Sequence, residues 1–135
     1  MIVIDASSLT KYILKEKNWQ EIRNKINEPE PVYSIDYVVV EATNSIWKEN
    51  LKKNLSESET LLKHEALEMA CIEVLHLESS KNYIKEALKL GMVEKTTVYD
   101  ALYVVQAIRY GKLLTSDGAQ SELAIKLGVE TTFIK

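Results

Sequence analysis

The chain has 135 residues, of which 46% are hydrophobic and 27% are charged, and its net charge is −3. These values are ordinary for a soluble globular protein, and we expect residues 1–135 to form a single domain with a buried core. The slightly acidic balance excludes the basic footprint of a passive nucleic-acid-binding protein, but not an enzyme whose bound metal ions supply positive charge locally.

Strand-like and helix-like segments alternate along the whole chain. Short apolar runs, or alternation of apolar and polar residues as over 73–77, predict the strands, whereas apolar residues repeating every three or four positions, with polar caps, predict the helices. In chain order, the predicted elements are a strand over residues 1–4, a helix capped at Ser7 or Ser8 and reaching residue 16, a helix over 19–26, a strand over 31–35, helices over 37–53 and 57–71, a strand over 73–77, helices over 79–90 and 97–110, a strand over 112–115, a helix over 121–127 and a strand over 129–134. Gly91 is interpreted as the end of the fifth helix, because glycine often follows a helix.

The alternation of strands with helices predicts a three-layer α/β/α sandwich around a central parallel sheet. In open sheets of this kind, the functional site lies outside the carboxyl ends of the strands. Asp5 and Asp117 come just after two predicted buried strands, at that edge of the sheet. Each also has a purely structural explanation, since aspartate often closes a turn or caps the helix that follows.

Two further acids, Glu41 and Asp100, lie near the start of predicted helices. Glu41 interrupts an otherwise apolar stretch, although its helix neighbours Asn44 and Lys48 leave open that it belongs to an ordinary solvated face. Asp100 lies three residues after Thr97, which favours an N-cap arrangement. The helix that follows is mostly apolar, however, so a carboxylate at its start would need a cationic partner.

The four acids are more informative together than singly. Helix starts and the carboxyl ends of parallel strands lie at one edge of an α/β sandwich, so we expect Asp5, Glu41, Asp100 and Asp117 to converge. Carboxylates that lie close together repel, and hard divalent cations relieve the repulsion because Mg²⁺ and Mn²⁺ prefer oxygen ligands. The sequence therefore predicts a Mg²⁺ or Mn²⁺ site, which can activate water and stabilise the charge on a phosphodiester.

At these residues the chain resembles the PIN-domain family, and in particular the small VapC-type ribonuclease toxins of prokaryotic toxin–antitoxin pairs. The resemblance covers essentially the whole chain. The motifs that carry it are Ile4-Asp5-Ala6-Ser7-Ser8-Leu9, Glu41-Ala42-Thr43-Asn44-Ser45-Ile46-Trp47-Lys48, Tyr99-Asp100-Ala101-Leu102-Tyr103 and Leu113-Leu114-Thr115-Ser116-Asp117. The resemblance implies a PIN-like α/β/α fold, an endoribonuclease that depends on Mg²⁺ or Mn²⁺, a homodimer, and inhibition by a small VapB-like antitoxin.

The resemblance also assigns roles to individual residues. The positions that match the family's acidic metal ligands, and thus the expected catalytic residues, are Asp5, Glu41, Asp100 and Asp117. The positions that match polar residues supporting the site are Ser7, Asn44 and Thr115. RNA would be hydrolysed by metal-activated water, without its 2′-hydroxyl as the nucleophile. Basic residues near the acids either contact RNA or form a solvated face, and these are Lys11, Lys48, Lys52 and Lys53.

Two other functions remain open. A phosphatase with an aspartyl nucleophile would need a second aspartate two residues beyond the first, where Ser7 stands. A non-catalytic PIN-like module that regulates or binds a partner would be favoured by loss of the acids, and all four are present. The only histidines, His64 and His76, are expected to be structural or exposed rather than catalytic.

Cellular location is predicted from what the sequence lacks. Cys71 is the only cysteine, so no intrachain disulfide can form and a reducing, cytoplasmic setting is expected. No signal peptide is visible, and no apolar stretch approaches the roughly 20 residues that a membrane-spanning helix needs. We therefore expect a cytoplasmic protein with no membrane association.

Overall fold

The computed structural model describes residues 1–135, and all five predicted strands form in it. The strands are β1 (Ile2–Ile4), β2 (Val32–Ile35), β3 (Leu75–Glu78), β4 (Lys112–Thr115) and β5 (Glu130–Phe133). They join one sheet in the order β3-β2-β1-β4-β5, and every neighbouring pair is parallel. The central position of β1 explains why its sequence is an unbroken apolar run, since both of its faces are buried.

Seven α-helices cover the sheet. They are α1 (Ala6–Leu14), α2 (Trp19–Ile26), α3 (Tyr37–Lys53), α4 (Glu57–Glu73), α5 (Ile84–Glu94), α6 (Val98–Tyr110) and α7 (Gly118–Lys126). Helices α1 to α4 pack against one another, whereas α6 packs between α5 and α7 in a second group. The predicted α/β/α sandwich around a parallel sheet is thus confirmed. None of the seven helices combines the length and the apolar character that crossing a bilayer requires.

Successive residues of β1 belong to different parts of the core. Ile4 packs in the larger hydrophobic cluster together with Leu9 of α1. Val3 packs in a smaller cluster together with Ala107 of α6 and Leu113 of β4. This division follows from strand geometry, in which consecutive side chains point to opposite faces of a sheet. Both layers of helices are therefore anchored on the strand that precedes Asp5.

A crevice opens at the carboxyl ends of the two central strands. Strand β1 leads into α1 in the first group of helices, whereas β4 leads into α7 in the second group. The ends of β1 and β4 are neighbours, with Ile4 paired to Leu114. Parallel sheets bind ligands where adjacent strands lead to opposite faces in this way. Asp5 and Asp117, which follow these two strands, lie on the two sides of the crevice.

Two helix starts differ from the prediction, and in both cases an acid caps the helix. Asp5, rather than Ser7 or Ser8, caps α1, because its side chain accepts a hydrogen bond from the backbone N–H of Ser8. Asp117 caps α7, which therefore begins at Gly118 rather than at residue 121. Aspartate is a favoured capping residue, so the explanation that Asp5 and Asp117 cap the helices that follow them is correct. It does not exclude a second role, because each carboxylate has two oxygens.

The prediction that Gly91 ends a helix is wrong. The segment over 79–90 forms a 3₁₀ turn (Ser80–Asn82) followed by α5, which continues through Gly91 to its left-handed C-cap at Lys95, where φ is 55°. The glycine provides space instead: a Cβ atom at this position would lie 2.9 Å from the carbonyl oxygen of Thr96. A close backbone approach, rather than a helix stop, therefore requires glycine here.

Candidate metal centre

Asp5 lies at the bottom of the crevice and is only 3% exposed. Its Oδ1 accepts hydrogen bonds from the Ser7 hydroxyl at 2.7 Å and from the Ser8 backbone N–H at 3.1 Å. Its Oδ2 accepts a hydrogen bond from the hydroxyl of Thr115, at the end of β4. Asp5 is thus held from both sides of the crevice, by donors that follow β1 and by one that ends β4.

Hydroxyl groups join the two chain segments around Asp5. The Ser7 hydroxyl accepts from the backbone N–H of Ser116 at 2.9 Å, and the Ser8 and Ser116 hydroxyls lie 2.9 Å apart. The Thr115 hydroxyl, which donates to Asp5, accepts from the backbone N–H of Asp117 at 3.0 Å. Short side chains with one donor and two acceptor sites suit this arrangement. The network fixes the positions of β1 and β4 relative to each other at the site.

Glu41 reaches the crevice from the second turn of α3. Its Oε1 accepts a hydrogen bond from the phenolic hydroxyl of Tyr103 on α6, at 2.6 Å. Tyr103 is 1% exposed, so its ring is anchored in the core while its hydroxyl reaches the site. The bond joins α3 to α6 and restrains the Glu41 carboxylate from beneath.

Asp100 and Asp117 complete the acidic set from the second group of helices. The backbone N–H of Asp100 donates to the Thr97 hydroxyl at 3.2 Å, as the N-cap explanation requires. Asp117 is exposed, and its Oδ1 accepts from the backbone N–H of Gln120 at 3.0 Å. The Gln120 side-chain amide in turn donates to the carbonyl oxygen of Asp100 at 3.1 Å. Gln120 therefore connects the starts of α6 and α7, which carry these two acids.

The four acids line one open pocket with a volume of about 350 Å³. The other lining residues are Ala6, Ser7, Thr10, Lys11, Glu16, Ser45, Tyr103, Ser116 and Gln120. None of the four acids takes part in an ion pair, although seven ion pairs form elsewhere in the chain. The pocket therefore concentrates negative charge that the protein leaves without a paired cationic side chain.

The pKa values of the acids reflect this environment. Burial, with a smaller contribution from the charge of Asp117, raises the pKa of Asp5 to about 6, despite the hydrogen bonds that favour its charged form. Burial also raises the pKa of Glu41 above its ordinary value, and the charge of Asp100 adds to the rise, whereas the Tyr103 hydroxyl opposes it. For Asp100 the causes of a raised pKa are burial and then the charge of Asp117. A bound cation would favour the charged form of each.

The donor set fits a hard divalent cation. Carboxylate oxygens are the ligands that Mg²⁺ and Mn²⁺ prefer, and Asp5, Glu41, Asp100 and Asp117 are the residues that would hold the ion. No three acidic, histidine or cysteine side chains are close enough together to form a complete group of direct ligands. The pocket also has no cysteine or histidine in its lining, and these are the ligands that structural Zn²⁺ sites use.

The supporting residues lie at different distances from the pocket. Ser7 and Thr115 contact Asp5 directly, as described above. Asn44 is exposed and is not among the residues that line the pocket, whereas its neighbour Ser45 is. Tyr103 and Gln120 were not predicted from the sequence as site residues. Tyr103 could have been identified from its position three residues after Asp100, because this spacing puts both residues on one side of α6.

The two histidines lie outside the acidic pocket, whereas one lysine lines it. His64 forms an ion pair with Glu68 on α4, and His76 stacks on Tyr33 at the edge of the sheet. No histidine lines the acidic pocket, which agrees with the expectation that both are structural or exposed. Lys11 does line it, although its ammonium group donates to a backbone carbonyl oxygen.

A smaller groove adjoins the acidic pocket between α1 and α3. It has a volume of about 220 Å³ and shares Thr10, Glu16 and Ser45 with the pocket. Lys48 and Lys52 line it, and neither is in an ion pair. The fourth lysine considered from the sequence, Lys53, pairs with Glu49 at 3.4 Å instead. Two free ammonium groups therefore flank one exit from the acidic pocket.

Comparisons with known proteins agree with this architecture. A family model described as the PIN domain matches residues 2–126. Ribonuclease VapC3 of Pyrobaculum aerophilum is 29% identical over 122 residues, which cover 90% of this chain and 92% of that relative. The crystal structure of PAE2754 from the same organism matches with a TM-score of 0.68 at 22% identity, covering 96% of this chain and 82% of that one. The structural match shows a shared fold.

Proposed function

Since this chain belongs to the PIN-domain family, we propose that it is an endoribonuclease that depends on Mg²⁺ or Mn²⁺. The observation that carries the proposal is the pocket at the carboxyl edge of the sheet, in which Asp5, Glu41, Asp100 and Asp117 lie without cationic partners. RNA as the substrate is supported by the name of the ribonuclease from Pyrobaculum aerophilum.

The residues of the pocket perform distinct tasks in this proposal. Asp5, Glu41 and Asp100 would hold the principal ion, directly or through water, and Asp117 would bind a second ion or orient the attacking water. When bound, such an ion would supply an activated water and positive charge for the phosphate. Thr115 and Ser7 fix Asp5 through its two oxygens, so the carboxylate cannot rotate away from the crevice.

The side chains of the pocket disfavour a metal-free route. A ribonuclease that uses the 2′-hydroxyl of RNA as nucleophile needs a general acid and a general base near the scissile phosphate, and histidine most often fills these roles. Both histidines of this chain lie outside the pocket. We therefore expect cleavage products without a 2′,3′-cyclic phosphate.

Cleavage of a panel of structured and unstructured RNAs, with Mn²⁺, with Mg²⁺ and with EDTA, tests the proposal. We expect cleavage only with a divalent ion, and a loss of at least about 100-fold in the Asp5→Asn and Asp100→Asn variants, since each removes a charged ligand. Asp36→Asn is a matched control, because Asp36 also follows a strand at this edge but caps the backbone N–H of Ser80, outside the pocket.

The two possible failures of this test have different meanings. If Asp5→Asn and Asp100→Asn fold normally and cleave as fast as the parent with the same metal requirement, the assignment of the site is wrong. If the folded parent cleaves no RNA in the panel under any condition, the catalytic proposal is wrong, and the chain is a non-catalytic PIN-like module.

We further propose that the protein is the toxin of a type II toxin–antitoxin pair, that it forms a homodimer and that a small VapB-like antitoxin inhibits it. The name of the relative from Pyrobaculum aerophilum supports the toxin role and the antitoxin partner, whereas the homodimer is expected from the family resemblance alone. A short neighbouring gene that encodes a DNA-binding head and an amphipathic tail is the expected genomic sign. Growth arrest on expression of the chain, relieved by co-expression of that neighbour, tests the pair, and sedimentation analysis tests the dimer.

A further inference from the structure

Two tyrosines stack on each other beside the acidic pocket. The rings of Tyr37, at the start of α3, and Tyr99, at the start of α6, have centroids 5.2 Å apart and an interplanar angle of 16°. Tyr37 is half-buried, whereas Tyr99 is 55% exposed. The inner ring therefore supports an outer ring that stands in solvent in a fixed orientation.

The position of this pair relative to the acids follows from the chain. Tyr99 directly precedes Asp100, and Tyr37 lies one helical turn before Glu41 on the same face of α3. The stacked rings thus adjoin the two acids that enter the pocket from helix starts.

The ring of Tyr99 is not buried in the core of the protein. Tyr99 stays 55% exposed even though one face of its ring stacks on Tyr37. Val40, one turn after Tyr37 on α3, is 58% exposed and extends the apolar surface. A flat, supported aromatic face next to a phosphodiester-cleaving pocket has the shape and chemistry of a stacking platform for a nucleobase.

We propose that Tyr99, supported by Tyr37, stacks on an unpaired base of the RNA substrate next to the scissile phosphate. The inference rests on the proposed ribonuclease function and deepens it by naming the side chain that holds a base of the substrate beside the site. Bases within a duplex already stack on their neighbours, so only a base that has left the helix, in a loop, bulge or single strand, can cover the ring. Stacking tolerates every base because each has a flat π-face.

Binding in EDTA tests the platform independently of catalysis. The probes are a short single-stranded RNA and the same strand annealed to its complement, and affinity is measured by fluorescence anisotropy. We expect Tyr99→Ala to weaken single-strand binding by roughly 5- to 100-fold, the loss of one base stack. Tyr99→Phe keeps the ring and should keep the affinity. Duplex binding, whatever its strength, should not respond to Tyr99→Ala.

Cleavage assays in Mn²⁺ add a second measurement. Tyr99→Ala should raise KM by the same factor while changing kcat little, because a platform binds the ground state and the transition state alike. A substrate that lacks the base next to the mapped cleavage site should already have lost the stack, so Tyr99→Ala should then have no further effect on KM. Trp47→Ala is the matched control, since Trp47 is 54% exposed on α3 but lines a different groove.

Each outcome bears on the proposal. If the parent cleaves RNA and Tyr99→Ala leaves affinity and KM unchanged, the platform is wrong while the ribonuclease function stands. If no variant cleaves RNA, the function is wrong, and binding in EDTA alone decides the platform. If Tyr99→Ala changes the oligomeric state and single-strand affinity only follows that change, the tyrosines belong to a protein interface and the platform is refuted.

Discussion

Replacement of Asp5 by asparagine is expected to stabilise the metal-free protein at neutral pH. Burial raises the pKa of Asp5 from 3.8 to about 6 and outweighs the hydrogen bonds that lower it. The folded state therefore holds a proton that the unfolded chain has already lost. As the pH rises from 3.8 to about 6, the buried carboxylate lowers the free energy of unfolding, and its full penalty is present above that range. Asparagine has nearly the same shape and no charge to bury.

The difference in pKa sets the size of the effect. A rise from 3.8 to about 6 corresponds to roughly 3 kcal/mol of unfolding free energy, at about 1.4 kcal/mol per pKa unit. The amide nitrogen of asparagine cannot accept the hydroxyl proton of Thr115, and the loss of one hydrogen bond costs about 1 kcal/mol. The expected gain is therefore about 2 kcal/mol. In a chain of this size, that gain raises the melting temperature by roughly 5–10 °C.

Denaturant titrations and thermal melts in EDTA, repeated across the pH range from below 3.8 to above 6, measure this gain. The advantage of Asp5→Asn should be absent at the acid end and complete at neutral pH. Added Mn²⁺ should stabilise the parent more than Asp5→Asn, because a ligand that binds the folded state raises stability. An Asp5→Asn variant that is no more stable than the parent at any pH would refute this explanation.

Three further substitutions have expected outcomes. Tyr103→Phe removes the 2.6 Å hydrogen bond to Glu41, so the carboxylate loses its charge-assisted donor. We expect the free energy of unfolding in guanidinium to fall by about 1–2 kcal/mol and kcat/KM to fall roughly 10-fold. Unchanged values for both would contradict the view that Tyr103 positions Glu41. Replacing Lys48 and Lys52 together by alanine should raise KM and make it less sensitive to salt. The slope of log KM against log salt concentration should fall by about 0.7 for each RNA phosphate that a lysine no longer neutralises. An unchanged slope would show that neither lysine contacts RNA. Gly91→Ala should lower the free energy of unfolding in urea by about 1 kcal/mol. A Cβ atom would lie 2.9 Å from the carbonyl oxygen of Thr96, and the resulting strain exceeds the gain in helix propensity. A more stable variant would show that the neighbouring backbone moves to make room.

The architecture was predictable because the local signals were consistent. Strand β1 is a short apolar run and β3 alternates apolar and polar residues. The helices carry caps such as Ser56, whose hydroxyl accepts from the backbone N–H of Glu59 at 3.1 Å, as the spacing of these two residues predicts. The alternation of the two element types then restricts the sheet to parallel pairing. The same rule brings Asp5 and Asp117 to one edge, since both follow strands that are neighbours in the sheet.

The details of the site were not predictable from local pattern. Whether Tyr103 reaches Glu41 depends on how α6 packs against α3, across 62 positions of sequence. The role of Gly91 was not predictable either, because glycine is required there by the carbonyl oxygen of Thr96, which approaches after α5 has ended. Asp36 shows a third case: it occupies the N-cap position of α3, yet its side chain accepts from the backbone N–H of Ser80, beyond β3. Tertiary contacts decide the first and third cases, and the path of the backbone just after α5 decides the second.

The hydroxyl network around Asp5 also has a consequence for the order in which a cell makes this protein. The bonds from Ser7, Ser8 and Asp5 to Thr115 and its neighbour join positions 108 to 110 residues apart. A nascent chain that has not yet reached Thr115 therefore has nothing that holds Asp5 from across the crevice. Chains that are truncated or stalled before this point are expected to be inert for the same reason. The site forms only when β4 inserts beside β1, so synthesis itself sets the time at which the molecule becomes able to act.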